Sequence, residues 1–245
     1  MSGWNIIHFA IIDSTNSEAK RRANEVLREN TIFRAEAQTA GRGRFDRRWE
    51  SPPGAGLWMT QLFQPSGIKA MAAGGAVFLS AVALADALRG MTGADVLIKW
   101  PNDLVLNGKK ICGMLAECGL KGEMCDWIAL GTGLNLTKDA LPEELIYASS
   151  IEKETGARID TDELVEKYLA AFDSLRQLWE TEGLAPIIGR MLPISATVGR
   201  DVKVDGTPAK ALAIDTDGAL ICEFPDGVRR VLAGDVSVRG ITDYV

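Results

Sequence analysis

Histidine is nearly absent from this chain. Its 245 residues hold one, His8, inside the apolar run NIIHFAII (5–12). A Ser-His-Asp or Cys-His device would have to be built on that residue, and the run reads as a strand with His8 packed in it. The chemistry is therefore sought where no protein nucleophile is needed. Cysteine is also sparse: residues 112, 118, 125 and 222 lack zinc-site spacing, and reduced thiols in a cytosol fit them. Excess positive charge is lacking too, because the formal net charge is -6, which argues against nucleic acid as a general partner. No basic segment followed by an apolar run opens the chain. The apolar, uncharged run Ala70 to Ala85 falls short of the ~20 residues of a membrane span and reads as a buried helix. A cytoplasmic protein without a membrane partner is expected.

What is present alternates between strand and helix patterns. Residues 5–12, 31–38, 56–63, 95–100, 110–118 and 126–136 read as strands. Helices are expected after DSTN (13–16), with Thr15 and Glu18 spaced as a capping box, over 69–89, and from Asp160 onward. In the last helix Leu164, Val165, Tyr168, Leu169, Phe172, Leu175 and Leu178 share one face. After about residue 195 the pattern changes to short β runs, with hairpin signals at Asp217-Gly218 and Asp226-Gly227. This predicts a main unit over 1–190, a bridge, and a small SH3-like barrel over 195–245.

Four segments carry chemistry. TAGRGRFDRRW (39–49) puts four arginines and two glycines into eleven residues. Its backbone bends freely and its guanidinium forks suit a small anionic ligand. DSTN offers Ser14, Thr15 and Asn16 either as helix caps or as partners for a polar ligand. KWPNDLVLNGKKICGMLAE (99–117) reads as two strands about a turn at Asn107-Gly108. Pro101 ends the first, so that Asn102 and Asp103 fall beside Lys99, as a site or as a solvated turn. GTGLN (131–135) ends a strand on two glycines, which alone would only relieve crowding.

Taken in order, DSTN, QTAGRGR with the following Trp49, KWPNDL, GKKICG, GTGLN and the tail's GDVSVR resemble the biotin protein ligases of the biotin and lipoate ligase superfamily, over nearly the whole chain. The resemblance implies an α+β fold. Its main part is a mixed sheet packed with helices, like class II aminoacyl-tRNA synthetases, and its tail is the SH3-like barrel. It implies an ATP-dependent ligase that joins biotin to ATP as biotinyl-5′-AMP, releases pyrophosphate, and passes the biotinyl group to a lysine of a biotin carboxyl carrier protein. Magnesium would come mainly on the ATP phosphates, with no protein ligand named. By position, Ser14, Thr15, Asn16 and Gln38 would hold the biotin ureido head. Gly41, Arg42, Gly43, Arg44, Lys110 and Gly113 would complete the biotin site. Arg44, Arg47, Trp49, Lys99, Asn102, Asn135 and Arg239 would face ATP. Lys110, Arg44 and Asp103 would serve catalysis, Lys110 between carboxylate and α-phosphate, and Asp103 orienting or accepting a proton from the acceptor amine.

This chemistry explains the missing triad. The substrate's own carboxylate attacks the α-phosphorus, and the protein's task is to hold two anions together and stabilise charge on phosphate oxygens. The arginine loop is expected to be mobile when empty and to order over the ligand. Two features depart from the family pattern. Asp46 stands where glycine is commonest. Few residues precede the first strand, leaving no room for a helix-turn-helix, so no DNA partner is expected. The resemblance leaves monomer and homodimer both open. Two other readings compete. One is a lipoate or octanoate ligase or transferase, for which Cys112 would be the residue to check. The other is a non-catalytic module that binds biotin or the adenylate.

Overall fold

A computed structural model describes residues 3–26, 30–141, 145–232 and 236–238. The chain runs β1 (Trp4–Ile12), α1 (Thr15–Val26), β2 (Asn30–Gln38), β3 (Gly56–Phe63), α2 (Gly75–Thr92), β4 (Leu97–Lys99), β5 (Asp103–Leu106), β6 (Lys109–Lys121), β7 (Met124–Asn135), α3 (Ile151–Thr155), α4 (Thr161–Glu182) and α5 (Ala185–Met191). It continues through β8 (Asp201–Val204), β9 (Thr207–Ile214), β10 (Leu220–Phe224), β11 (Gly227–Val231) and β12 (Val236–Val238). Seven strands form one mixed sheet in the order β1-β2-β3-β7-β6-β5-β4. Among the described strand pairs of this sheet only β1 and β2 run parallel, with α1 as their crossover. The last five strands form a small antiparallel sheet, β11-β10-β9-β8-β12.

One face of the large sheet is closed by α2 and α4, whose apolar side chains pack with Leu57, Met59, Phe63 and Leu130. This accounts for α2, the one helix among the described residues long and apolar enough to cross a membrane: most of it is buried inside the protein. The same core continues into the small sheet through Val202, Leu220 and Phe224. Trp100 fastens the join, since its indole is fully buried and its Nε1 donates to Gly218 O at 2.9 Å. On the other face α1 covers less. Ala19 and Ala23 pack on Phe33, Leu62 and Ala129, which leaves the β5-β6-β7 part of that face free for a site.

Most sequence expectations locate real elements. Asp160 caps α4 by accepting from the backbone N–H groups of Asp162 and Glu163, and Asn107 and Gly108 make the β5-β6 turn with φ of 51° and 77°. The hairpins at Asp217-Gly218 and Asp226-Gly227 join β9, β10 and β11. Three expectations need correction. His8 is not packed; β1 is an edge strand and the imidazole is exposed. Thr15 is not the cap of α1 but its first residue, because Glu18 N donates to Ser14 O and the Thr15 hydroxyl turns inward. Helix α2 begins at Gly75 rather than 69, because a separate 3₁₀ turn, Ala70–Ala72, precedes it.

Candidate functional site

The register of the large sheet sets out the floor of a site. Lys99 pairs with Asp103, Asp103 with Gly113, Gly113 with Gly133, and Gly133 with Trp58, so these five lie in one row across five strands. The glycines leave a slot there, and the Trp49 indole fills it. A methyl group at Gly133 would lie 2.5 Å from Trp49 Nε1, and one at Gly113 would lie 2.8 Å from Trp49 Cζ3. The two glycines of GTGLN are thus required by close approach. A methyl at Gly131 would lie 2.0 Å from Asn16 Oδ1.

Above this floor lies a cavity of about 320 Å³. Among the described residues six cationic side chains (Arg42, Arg44, Arg47, Arg48, Lys99 and Lys110) line it against two carboxylates, Glu50 and Asp103, so it suits an anion. The arginine loop forms its roof. The loop is folded as a hairpin: Trp49 N donates to Gly41 O at 2.9 Å and Gly43 N to Arg47 O at 2.7 Å. Its tip is one 3₁₀ turn, Arg44–Asp46, in which Phe45 takes a φ of 54°. The Asp46 side chain lies outside the described residues. A second cover comes from Leu141, Leu145, Tyr147 and Ala148, in the segment after β7.

At one end of the cavity stands a buried polar cluster. Gln38 Oε1 accepts from Thr15 N at 2.9 Å, and Gln38 Nε2 donates to Ser51 Oγ at 2.8 Å. Thr60 Oγ1 lies 2.8 Å from Thr15 Oγ1 and 2.7 Å from Asn16 Oδ1. Ser14, which receives a long 3.4 Å contact from Ser17 N, is buried beside them. At the other end Lys110 Nζ meets Asp103 Oδ1 at 2.8 Å and sits 5.2 Å from the centroid of the Trp49 ring. Asn102 links two parts of the wall by accepting from Arg44 Nη1 at 3.1 Å and donating from Nδ2 to Met114 O at 2.7 Å. Asn135 donates to Ser149 O at 3.0 Å, while its Oδ1 is buried with no hydrogen-bond partner among the described residues, at the edge of the cavity.

Thus Ser14, Thr15, Asn16, Gln38, Arg42, Gly43, Arg44, Arg47, Trp49, Lys99, Asn102, Asp103, Lys110, Gly113 and Asn135 all line one cavity. Gly41 stands just behind it and holds the base of the hairpin. Arg239 lies outside the described residues, although Val236 of β12 reaches the cavity wall. Sequence reading missed Thr60, Ser51, Tyr147 and Glu117. Thr60 could have been found, since alternation along β3 puts it on the same face as Trp58. Cys112 is fully buried, and its thiol is pushed far above the usual range by burial, with Asp103 adding to the effect and Lys110 opposing it. It is a core residue, not an acyl carrier.

Comparison with known proteins agrees with this geometry. Residues 8–135 match the model of the biotin/lipoate A/B protein ligase family. A biotin--[acetyl-CoA-carboxylase] ligase of Paracoccus denitrificans is 35% identical, over 93% of this chain and 98% of its own. The bifunctional ligase/repressor BirA of Bacillus spizizenii is 31% identical, over 96% of this chain and 74% of its own. The biotin protein ligase from Aquifex aeolicus, solved with biotin and ATP, superposes with a TM-score of 0.79 at 26% identity, covering 96% of this chain and 98% of that one. With the match to the family model running across the α1 cap, the arginine loop and the glycine-floored strands, this chain belongs to the biotin/lipoate A/B protein ligase family.

Proposed function

We propose that the chain is a biotin protein ligase, which activates biotin with ATP and transfers it to a lysine of a biotin carboxyl carrier protein. The observation that carries this reading is the cavity itself. A buried polar cluster closes one end, a cationic roof and Lys110 surround the other, and a family member solved with biotin and ATP shares the fold.

The chemistry follows from the charges. In the first step a biotin carboxylate oxygen attacks the α-phosphorus of ATP, the bond to the β-phosphate oxygen breaks, and pyrophosphate leaves. Ser14, Thr15, Asn16 and Gln38 would hold the ureido head. Arg42, Arg44 and the backbone N–H groups about Gly43 would lie along the tail and phosphate. Lys110 would follow the oxygen from carboxylate to mixed anhydride as a compact charge. Lys99, Arg47, Asn102, Asn135 and Arg239 would contact the nucleotide, and magnesium would enter on its phosphates. The hairpin roof would keep water from the adenylate. In the second step a neutral lysine amine attacks the acyl carbon and AMP departs. That amine has an ordinary pKa of ~10.4, so it must shed a proton. Asp103 would orient it or take the proton once Lys110 turns to the phosphate.

Residues 1–190 would form the catalytic domain. Residues 195–245 would form an SH3-like barrel built on the small antiparallel sheet, with Val236 bringing the barrel to the cavity wall. Pyrophosphate release, measured with biotin and separately with lipoate or octanoate, tests the reading, together with streptavidin blotting of a carrier domain. Release only with lipoate or octanoate would move the assignment to that branch of the family. Binding of biotin without release would leave a non-catalytic module.

A further inference from the structure

Glu117 of β6 is a charged group outside the roles assigned above, yet it is wired to both ends of the loop-and-helix frame. Its side chain is 22% exposed. Oε1 meets Lys20 Nζ at 2.7 Å and Arg42 Nη1 at 3.2 Å, and Oε2 accepts from Asn16 Nδ2 at 3.1 Å. Burial alone would raise its pKa. Hydrogen bonds from Lys20 and Asn16 and the nearby charges of Lys20 and Arg42 outweigh that, so the carboxyl is held below its usual range and stays ionised.

An ionised carboxylate can only accept. Asn16 must therefore turn its Nδ2 toward Glu117, as the weaker 3.3 Å contact to Leu115 O also requires, and its Oδ1 toward Thr60. The Thr60 hydroxyl has one proton, and an amide oxygen can only accept. That proton belongs to the Asn16 contact. The Thr15 hydroxyl completes the row, with two acceptors in reach of its own proton, Thr60 Oγ1 at 2.8 Å and Gln38 Oε1 at 3.2 Å. The Asn16 and Thr60 contacts are thus directed from the Glu117 end, with Leu115 O as a second acceptor for Asn16, and the same carboxylate ties Arg42 of the roof to α1.

We propose that Glu117 is a positioning residue of this site, which latches the arginine hairpin over the cavity and orients Asn16 and, through it, Thr60. The proposal rests on the ligase reading for its kinetic test but not for its structural one. The experiment compares wild type, Glu117→Ala, Glu117→Gln and Lys20→Met. It measures steady-state pyrophosphate release, and the rate of tryptic cleavage after Arg42, Arg44, Arg47 and Arg48, read by mass spectrometry. Glu117→Ala should raise the KM for biotin about tenfold, the size of one charge-assisted hydrogen bond, with kcat and the KM for ATP nearly unchanged. Cleavage within the hairpin should quicken. Glu117→Gln, which keeps an acceptor for Asn16 but loses the charge, should free the hairpin equally and raise the KM for biotin less. It also keeps the test open if the alanine variant does not fold. Lys20→Met, which takes one cation from the carboxylate but leaves Asn16 and Arg42 on it, should change both measurements less than either Glu117 variant. Wild-type KM and cleavage in both Glu117 variants would overturn the proposal. So would a fall in melting temperature with kcat lost and no rise in KM. If the wild type itself releases no pyrophosphate with biotin, the ligase reading fails, and the cleavage rates still decide the latch.

Discussion

Replacing Lys110 tests the centre of the mechanism. Its ammonium lies 2.8 Å from Asp103 Oδ1, with the two side chains 13% and 7% exposed, so this is a largely desolvated pair. Lys110→Ala would leave the Asp103 carboxylate buried without its nearest cation, a change that typically costs ~3–5 kcal/mol. Other cations line the same cavity, so the stability loss should fall near the lower end of that range. The same interaction, turned to the reacting oxygens, sets the rate. Losing ~3–5 kcal/mol from the transition state slows adenylation by roughly two to four powers of ten. The two effects can be separated. Lys110→Met combined with Asp103→Asn removes both charges and should recover most of the stability while pyrophosphate release stays low. Lys110→Arg should rescue poorly, because a planar fork cannot occupy the place of a point charge. Lys109→Ala is the control. Lys109 Nζ points away to Glu154 Oε1 at 3.2 Å, and its loss should leave the rate nearly unchanged. Thermal melts and pyrophosphate release over the same set of proteins give both numbers. The reasoning fails if the double variant regains rate along with stability, or if Lys109→Ala is the damaging change.

Three other outcomes are expected. Asp103→Asn should slow transfer from preformed biotinyl-5′-AMP to a carrier domain more than it weakens biotin binding; an unchanged single-turnover transfer rate would remove Asp103 from the second step. A thiol reagent at pH 8 should tag half-exposed Cys118 first, because burial holds Cys125 at about 12 and Cys112 higher still; early tagging of Cys112 in peptide maps of the folded protein would contradict its core assignment. Hydrogen bonds from Arg21 hold the Asp13 carboxyl at about 2 against an ordinary 3.8, so its stabilising contribution is complete above pH 3.8 and fades as the pH falls toward 2. The melting temperatures of wild type and Asp13→Asn should therefore differ at neutral pH and converge in acid, and a gap that persists unchanged at pH 2 would assign the effect to packing instead.

How far the site could be read from sequence depends on which physical rule places each residue. Local rules served well where the determinant was local. Asp160 caps α4 because its carboxylate reaches N–H groups two and three residues on, and Asn107-Gly108 turns the chain because both residues accept a positive φ. They failed where a distant strand decided. Thr15 has the chemistry of a cap, but a hydroxyl on β3, Thr60, draws it inward and leaves the capping to Ser14. Glu117 has no local signature, since its partners lie about 75 to 101 residues away in sequence. Lys110 shows the limit most clearly. Simple alternation along β6 puts residues 110 and 113 on opposite faces, because three steps is an odd number. That reading would send Lys110 away from the glycine floor. In the folded chain Leu104 pairs with Cys112 but Val105 pairs with Lys110, so Ile111 is an extra residue. The bulge shifts the parity by one and buries Ile111 and Cys112 in succession. Lys110 thereby swings onto the face of Asp103 and Gly113, where a methyl at Gly113 would lie 3.2 Å from its Nζ. Motif order could nominate the lysine, but only the pairing with β5 could aim it. A substitution that removed the bulge would turn Lys110 away from Asp103 without changing either residue.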